Sequence, residues 1–174
     1  MSDPRYPVGT FSFNPAPTSD TRATCIRAIA EAPALLRMAV IGLDDRQLAT
    51  PYRPGGWTVR EVVHHVPDSH LNAYCRFKFA LTEDGPTIKP YDEAAWARLA
   101  DTALTPPDVS LALLDALHSR WVALLNSMTA EDFARPLQHP EHGKLTLDWM
   151  LQLYAWHGRH HAGHVSELRK REGW

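Results

Sequence analysis

Residues 157–164 hold four histidines, His157, His160, His161 and His164, within the run Trp156-His-Gly-Arg-His-His-Ala-Gly-His-Val165. At about 100° per residue they fall at roughly 0°, 300°, 40° and 340° around a helix axis, so all four share one face. Met150, Leu153, Tyr154 and Leu168 occupy that same face. A helix of this pattern turns apolar side chains and imidazoles toward one core. Buried polar groups cost free energy unless they are partnered, so the fold must bring something to these rings. A divalent metal ion is the most economical partner, because neutral imidazole is its commonest protein ligand.

The rest of the chain reads as the frame such a helix needs. Four prolines fall within residues 1–17, which predicts an extended arm ahead of a single domain over 18–174. A first helix is expected over 20–42, capped by Ser19 or Asp20, with Ile26, Ile29 or Ala30, Leu35 or Leu36, and Val40 as its stripe. Pro33 should bend it. A loop over 50–56 precedes a second helix from Thr58 to Leu81, with Val59, Val62, Val66, Ala73, Phe77 and Ala80 as its stripe; Pro67 is expected to interrupt it. A turn over 84–91 and a short helix over 92–100 lead to Thr105-Pro-Pro-Asp, which opens a third long helix. Its stripe is Leu111, Leu114, Leu117, Trp121, Leu124 or Leu125, and Met128. Thr129-Ala-Glu-Asp132 resembles a capping box for a short turn. Residues 134–145 read as a polar loop, and Thr146 caps a last helix running to Glu172. Without a strand pattern, four long amphipathic helices predict an all-α four-helix bundle, antiparallel or with a crossover.

One helix cannot close a metal site. His157 and His161 are spaced i,i+4, as are His160 and His164, and either pair can offer two nitrogens to one ion. The third ligand must come from another helix. Around the second helix, with Val62 at zero, His64 falls at roughly 200° and points outward, His65 at roughly 300° and His70 at roughly 80°. His65 and His70 flank the core face, with a mild preference for His70, and His118 sits at the edge of the third helix's stripe. The reading of the residues therefore leaves His65, His70 and His118 open. Three nitrogen ligands leave coordination positions free, the pattern of a catalytic site. His139 and His142 fall in a Pro- and Gly-containing loop and are expected to be solvated. Trp57 and Tyr74 read as packing residues that could also line a pocket. Gly158 and Ala162 are small residues that allow a close helix approach.

Composition narrows the partners. The net charge of −2 gives no reason to expect nucleic acid or an anionic membrane. No apolar run is long enough to span a bilayer. Two cysteines, Cys25 and Cys75, without metal-type spacing and without a signal peptide, favour a reduced, cytoplasmic protein.

The tract Pro51-Tyr-Arg-Pro-Gly-Gly-Trp-Thr-Val-Arg-Glu-Val-Val-His-His-Val-Pro-Asp-Ser-His-Leu-Asn-Ala-Tyr74 resembles the signature of the YfiT proteins, a branch of the DinB-like superfamily described as metal-dependent hydrolases. Tyr6-Pro-Val-Gly9, Arg76-Phe-Lys78, Pro90-Tyr-Asp-Glu-Ala-Ala-Trp96, Leu117-His-Ser-Arg-Trp121 and Tyr154-Ala-Trp-His-Gly-Arg-His-His-Ala-Gly-His164 are similar to it too. The resemblance implies a DinB-like four-helix bundle, a homodimer, with one divalent metal ion per chain in a central site. The ligands it implies are the second histidine of the His-His pair, His65, and the pair His157 and His161. His160 and His164 then become neighbours of the site. Relatives often carry alanine at the place of Pro67, so the orientation of Asp68 and His70 is where this chain departs.

The expected activity is metal-dependent hydrolysis of a small molecule by activated water. The alternative is transfer of a low-molecular-weight thiol to an electrophile, as in related thiol transferases of the bacillithiol type. A non-catalytic, metal-stabilised protein is the third class. Zinc is the first candidate ion, with nickel, manganese or iron as others. A general base is sought among Asp68, His70, His160, His164 and Glu167.

Overall fold

Side-chain oxygens start most of the helices. The computed structural model describes residues 3–174; Met1 and Ser2 of the expected arm lie outside the described residues. Helix α1 (Ser19–Val40) is capped by Thr18, whose Oγ1 accepts from the Thr21 N–H at 3.2 Å; neither Ser19 nor Asp20 takes that role. A short α2 (Asp45–Leu48), absent from the sequence expectation, opens on a capping box of Asp44 and Gln47. Thr58 and Glu61 form the capping box of α3 (Val59–Thr82). Two short helices, α4 (Glu93–Trp96) and α5 (Ala100–Leu104), stand where one was expected. Helix α6 (Pro107–Ser127) begins on its proline. Thr129 and Asp132 cap α7 (Ala130–Phe133), and Thr146 caps α8 (Leu147–Glu172).

The expected loop over 134–145 is instead largely a hairpin of β1 (Pro136–His139) and β2 (Gly143–Thr146), paired antiparallel. Strands of four residues are too short to show a period, which is why the pattern was silent. Leu137 anchors the hairpin, fully buried, and Gln138 exchanges backbone hydrogen bonds with Pro86 and Ile88 at 2.9 Å.

Helix α1 packs against α6 and α8, and α3 packs against the same two, so α1 lies diagonally from α3 and α6 from α8. Two apolar clusters give the helix directions. One joins Ile29 of α1, Ala73–Ala80 of α3, Trp121 and Leu125 of α6, and Leu147–Ala155 of α8. The other joins Leu36–Val40, Val59–Val66, Leu111 and Leu114, and Val165 and Leu168. The N-terminal halves of α1 and α8 thus meet the C-terminal halves of α3 and α6. The bundle is up-down-down-up, the crossover alternative, and residues 83–106 carry the chain back along its length. Among the described residues no helix is long and apolar enough to cross a membrane.

Helix α3 is continuous through Pro67, where an interruption was expected, and α1 is continuous through Pro33. A proline removes one helical hydrogen bond. Val62, Val63 and Val66 are buried to within 1% of full exclusion, so packing holds the turn that the lost bond would have held. The arm lies along α8: Trp156 Nε1 donates to the Gly9 carbonyl at 3.0 Å, and Gln152 accepts from and donates to the backbone of Asn14.

Gly158 sits where α8 meets α1. A Cβ there would stand 2.7 Å from the Cβ of Ala32. Gly158→Ala is expected to destabilise the fold by about 1–3 kcal/mol through overpacking, although alanine favours a helix over glycine. Urea unfolding checks this; a midpoint equal to the parent's would show that α1 and α8 part without cost.

Candidate metal centre

Between the two apolar clusters, every long helix except α1 contributes histidines. His65 of α3 and His157 and His161 of α8 each place a ring nitrogen within 4.8 Å of the other two. The i,i+4 spacing puts the α8 pair on one face, and their Nε2 atoms stand 3.2 Å apart. Two nitrogens about 2.0–2.1 Å from one tetrahedral ion are roughly 3.3 Å apart, so this pair has the spacing of two ligands in one shell. The His65 ring lies 4.8 Å from that of His161 and 5.5 Å from that of His157. His65 makes no hydrogen bond among the described residues, and His161 Nδ1 is buried without a partner. Trp57 covers His65 with ring centroids 4.4 Å apart.

The three rings face a cavity of about 980 Å³ whose wall also includes Tyr52, Arg53, Arg76, Tyr91 and Glu141. Burial pushes the His65 imidazole down to about 4, and burial together with neighbouring histidines holds His157 and His161 well below the usual range. At neutral pH all three are uncharged donors, the form a cation requires. The donor set fits one divalent ion.

The other candidates take different places. His160 and His164 line the same cavity, the first stacked on Trp156 at 4.2 Å and the second on Tyr52 at 4.0 Å. His164 Nε2 donates to the Arg5 carbonyl at 3.3 Å. His70 is fully buried and is not part of the cavity wall; it lies between His118 and His157. His118 reaches the Ile29 carbonyl. Asp68 and Glu167 also lie off the wall, Glu167 paired with Lys170. His64 turns away from the site as expected but is not solvated: it is buried, with Nδ1 2.7 Å from Ser110 Oγ of α6. Trp57 lines the cavity, while Tyr74 packs beside the apolar cluster of Ile29, Phe77 and Trp121 with Lys78 and Arg120 over its ring.

Most of the wall carries no periodic or spacing signal in the sequence. Tyr52 and Arg53 lie in the loop before α3, Tyr91 in the long crossover, and His139, Glu141 and His142 on the hairpin. The hairpin group brings its ligand atoms within 4.8 Å of one another, but His139 Nδ1 already accepts from the Glu141 N–H at 3.1 Å. Only the signature around Trp57 hinted that the preceding loop belonged to a site.

Known proteins are similar to this chain in sequence and in fold along its length. The sequence profile of the DinB superfamily matches residues 28–165. A protein of Bacillus cereus strain B4264 named "Putative metal-dependent hydrolase" is 54% identical over 174 residues, covering 100% of both chains. One of Bacillus thuringiensis subsp. konkukian strain 97-27, with the same name, is 53% identical over the same span. Among solved structures, YfiT from Bacillus subtilis, described as a probable metal-dependent hydrolase with an unusual four-helix bundle topology, has a TM-score of 0.95 and 47% identity, covering 98% of each chain.

Two outcomes are expected of the site. His65→Ala, His157→Ala and His161→Ala should each weaken zinc binding by more than the roughly 10–100-fold typical of losing a ligand's outer partner, whereas His64→Ala should not. Elemental analysis and chelator competition on untagged protein measure this. The second concerns pH. Unfolded histidines take up protons near 6.5, while folded His65 and His160 are held down to about 4. The unfolded chain then binds more protons between those values, so metal-free stability should fall as pH drops from about 6.5 to 4. Asp68, raised to about 6 by burial and by Asp101, opposes this with a single proton. Thermal unfolding of the metal-free protein across that range is the check; a Tm that rises on acidification would contradict it.

Proposed function

The chain belongs to the DinB superfamily, and from that premise we propose that it is a metal-dependent hydrolase acting on a polar small molecule. The observation that carries this reading is the meeting of His157 and His161 through their Nε2 atoms at 3.2 Å, opposite His65, on the wall of an open cavity. His65, His157 and His161 would hold the ion, with zinc as the first candidate because it accepts imidazole ligands in flexible geometries. A divalent ion there supplies Lewis acidity, which makes water, or a thiol, nucleophilic near neutral pH.

The protein's own groups do the rest. The three ligands are neutral and cancel no positive charge. Trp57 packs against the His65 ring and helps to hold it in place. His160 lines the cavity with its ring 5.2 Å from that of His161, and burial, helped by His164, holds it down to about 4. It is therefore uncharged at neutral pH, and its place on the wall beside His161 makes it the candidate proton acceptor, although burial weakens it as a base. Arg53 and Arg76 line the cavity together with Asp92, Glu93 and Glu141, which suits a substrate bearing polar groups of both signs.

Untagged protein screened against esters and amides, with and without chelator and thiol, tests the proposal. Turnover that needs no thiol, stops with chelator and returns with zinc is the expected result. Turnover only with an added thiol would replace hydrolysis by thiol transfer, and activity indifferent to chelation would reject both. On a responsive substrate, His160→Gln should lower kcat about 10²–10⁴-fold while leaving zinc content unchanged.

A further inference from the structure

We propose that His118 and His70 are positioning residues: with the Ile29 carbonyl they form a hydrogen-bonded series that fixes the tautomer of His157 so that its Nε2 lone pair faces the metal centre. The inference rests on the reading of His157 as a ligand and explains how that ligand is prepared.

The series begins at a proline. Pro33 has no N–H, so the carbonyl of Ile29, four residues earlier on α1, lacks its helical donor. His118 Nδ1 lies 2.6 Å from that oxygen. A carbonyl only accepts, so the proton is on His118 Nδ1. A neutral imidazole has one donor and one acceptor, so His118 Nε2 must accept. Its partner is His70 Nδ1 at 2.7 Å, which therefore carries the proton and donates. His70 Nε2 must then accept, and its partner is His157 Nδ1 at 3.0 Å. The last proton is thereby placed on His157 Nδ1. Its Nε2 keeps its lone pair, 3.2 Å from the Nε2 of His161.

Direction along the series is set at the carbonyl end, and nothing else within reach resets it. His70 is fully buried and His118 nearly so. Trp121 and Tyr154 meet the His70 ring edge-on, with centroids at 5.9 and 5.1 Å. His70 has both nitrogens engaged, which excludes it as a ligand to the same ion. Free histidine side chains favour the tautomer with the proton on Nε2, the wrong one for this ligand, so the series reverses the default.

Nitrogen-15 NMR of the metal-free full chain reads the tautomers directly. The expected result is an Nδ1–H on each of His118, His70 and His157; a proton on Nε2 of His157 overturns the proposal without any variant. Zinc competition with a chromophoric chelator gives the second readout. His118→Phe, which keeps the ring volume but removes both nitrogens, should weaken zinc binding roughly 10–100-fold, while His118→Gln, which can both donate and accept, should restore most of it. If His118→Phe binds zinc as the parent does, the series does no positioning. Should that variant fail to fold, Pro33→Ala returns a competing N–H to Ile29 and is expected to shift the His118 signals toward a mixture of tautomers; unchanged signals count against the proline's role. His157→Ala separates the two readings: unaltered zinc binding there removes the ligand assignment itself, whereas lost binding there with normal binding in His118→Phe removes only the series.

Discussion

A layer of imidazoles crosses the middle of the bundle, and the need to satisfy it organises everything around it. Each of α3, α6 and α8 runs from one apolar cluster to the other through histidines: His65 and His70, His118, and His157–His164. A buried imidazole left unmet costs about 1–3 kcal/mol. The protein meets the cost differently on its two sides. On the closed side, beside α1 and α6, His118 and His70 bond to each other and to a backbone carbonyl. On the open side the rings of His65, His160, His161 and His164 face a cavity, and the Nδ1 atoms of the last three have no partner. The nitrogens that meet on that open side are the Nε2 atoms of His157 and His161, 3.2 Å apart, the spacing of two ligands of one ion.

The prolines belong to the same logic. A proline inside a helix costs about 3 kcal/mol in isolation. Pro33 and Pro67 are both buried where helices pack closely, and neither helix breaks. The carbonyl freed by Pro33 is not wasted on water, which cannot reach it; it accepts the shortest histidine bond in the core. A local defect in α1 is thus turned into an anchor for α6, and through His70 into an anchor for the face of α8. Gly158 completes the arrangement by letting α8 approach Ala32, the neighbour of Pro33.

Much of this was legible in one dimension, and the limits have physical causes. Helical period exposed the apolar stripes, and Val59, Val62, Val66, Ala73, Phe77 and Ala80 are all buried. The expected starts at Thr58 and at the Thr146 cap hold, and both threonines cap their helices. The same period collected the four histidines of α8 on one face. It could not choose among His65, His70 and His118, because an angle around an axis says nothing of height along it. His70 does face the core, as its angle suggests, but it lies about 7.5 Å farther along α3 than His65. At that height it meets the Nδ1 edge of His157 instead of the Nε2 edge. The hairpin and the cavity wall escaped for a different reason: their positions are fixed by pairing and packing between segments far apart in sequence.

Topology explains why ligands and wall come from different parts of the chain. Because α3 and α6 run the same way, residues 83–106 must travel the length of the bundle between them, and that crossing carries Tyr91, Asp92 and Glu93 to the cavity. The hairpin between α7 and α8 brings His139 and Glu141 to the same wall. The ligand candidates sit on two long helices that pack against each other, held on both sides by apolar clusters. Precision of a few tenths of an ångström is what ligand geometry requires, and rigid helices supply it. The wall needs only to complement a substrate, and connections can change their side chains without disturbing the core. The helices therefore constrain the chemistry, and the crossover and hairpin constrain what is admitted to it.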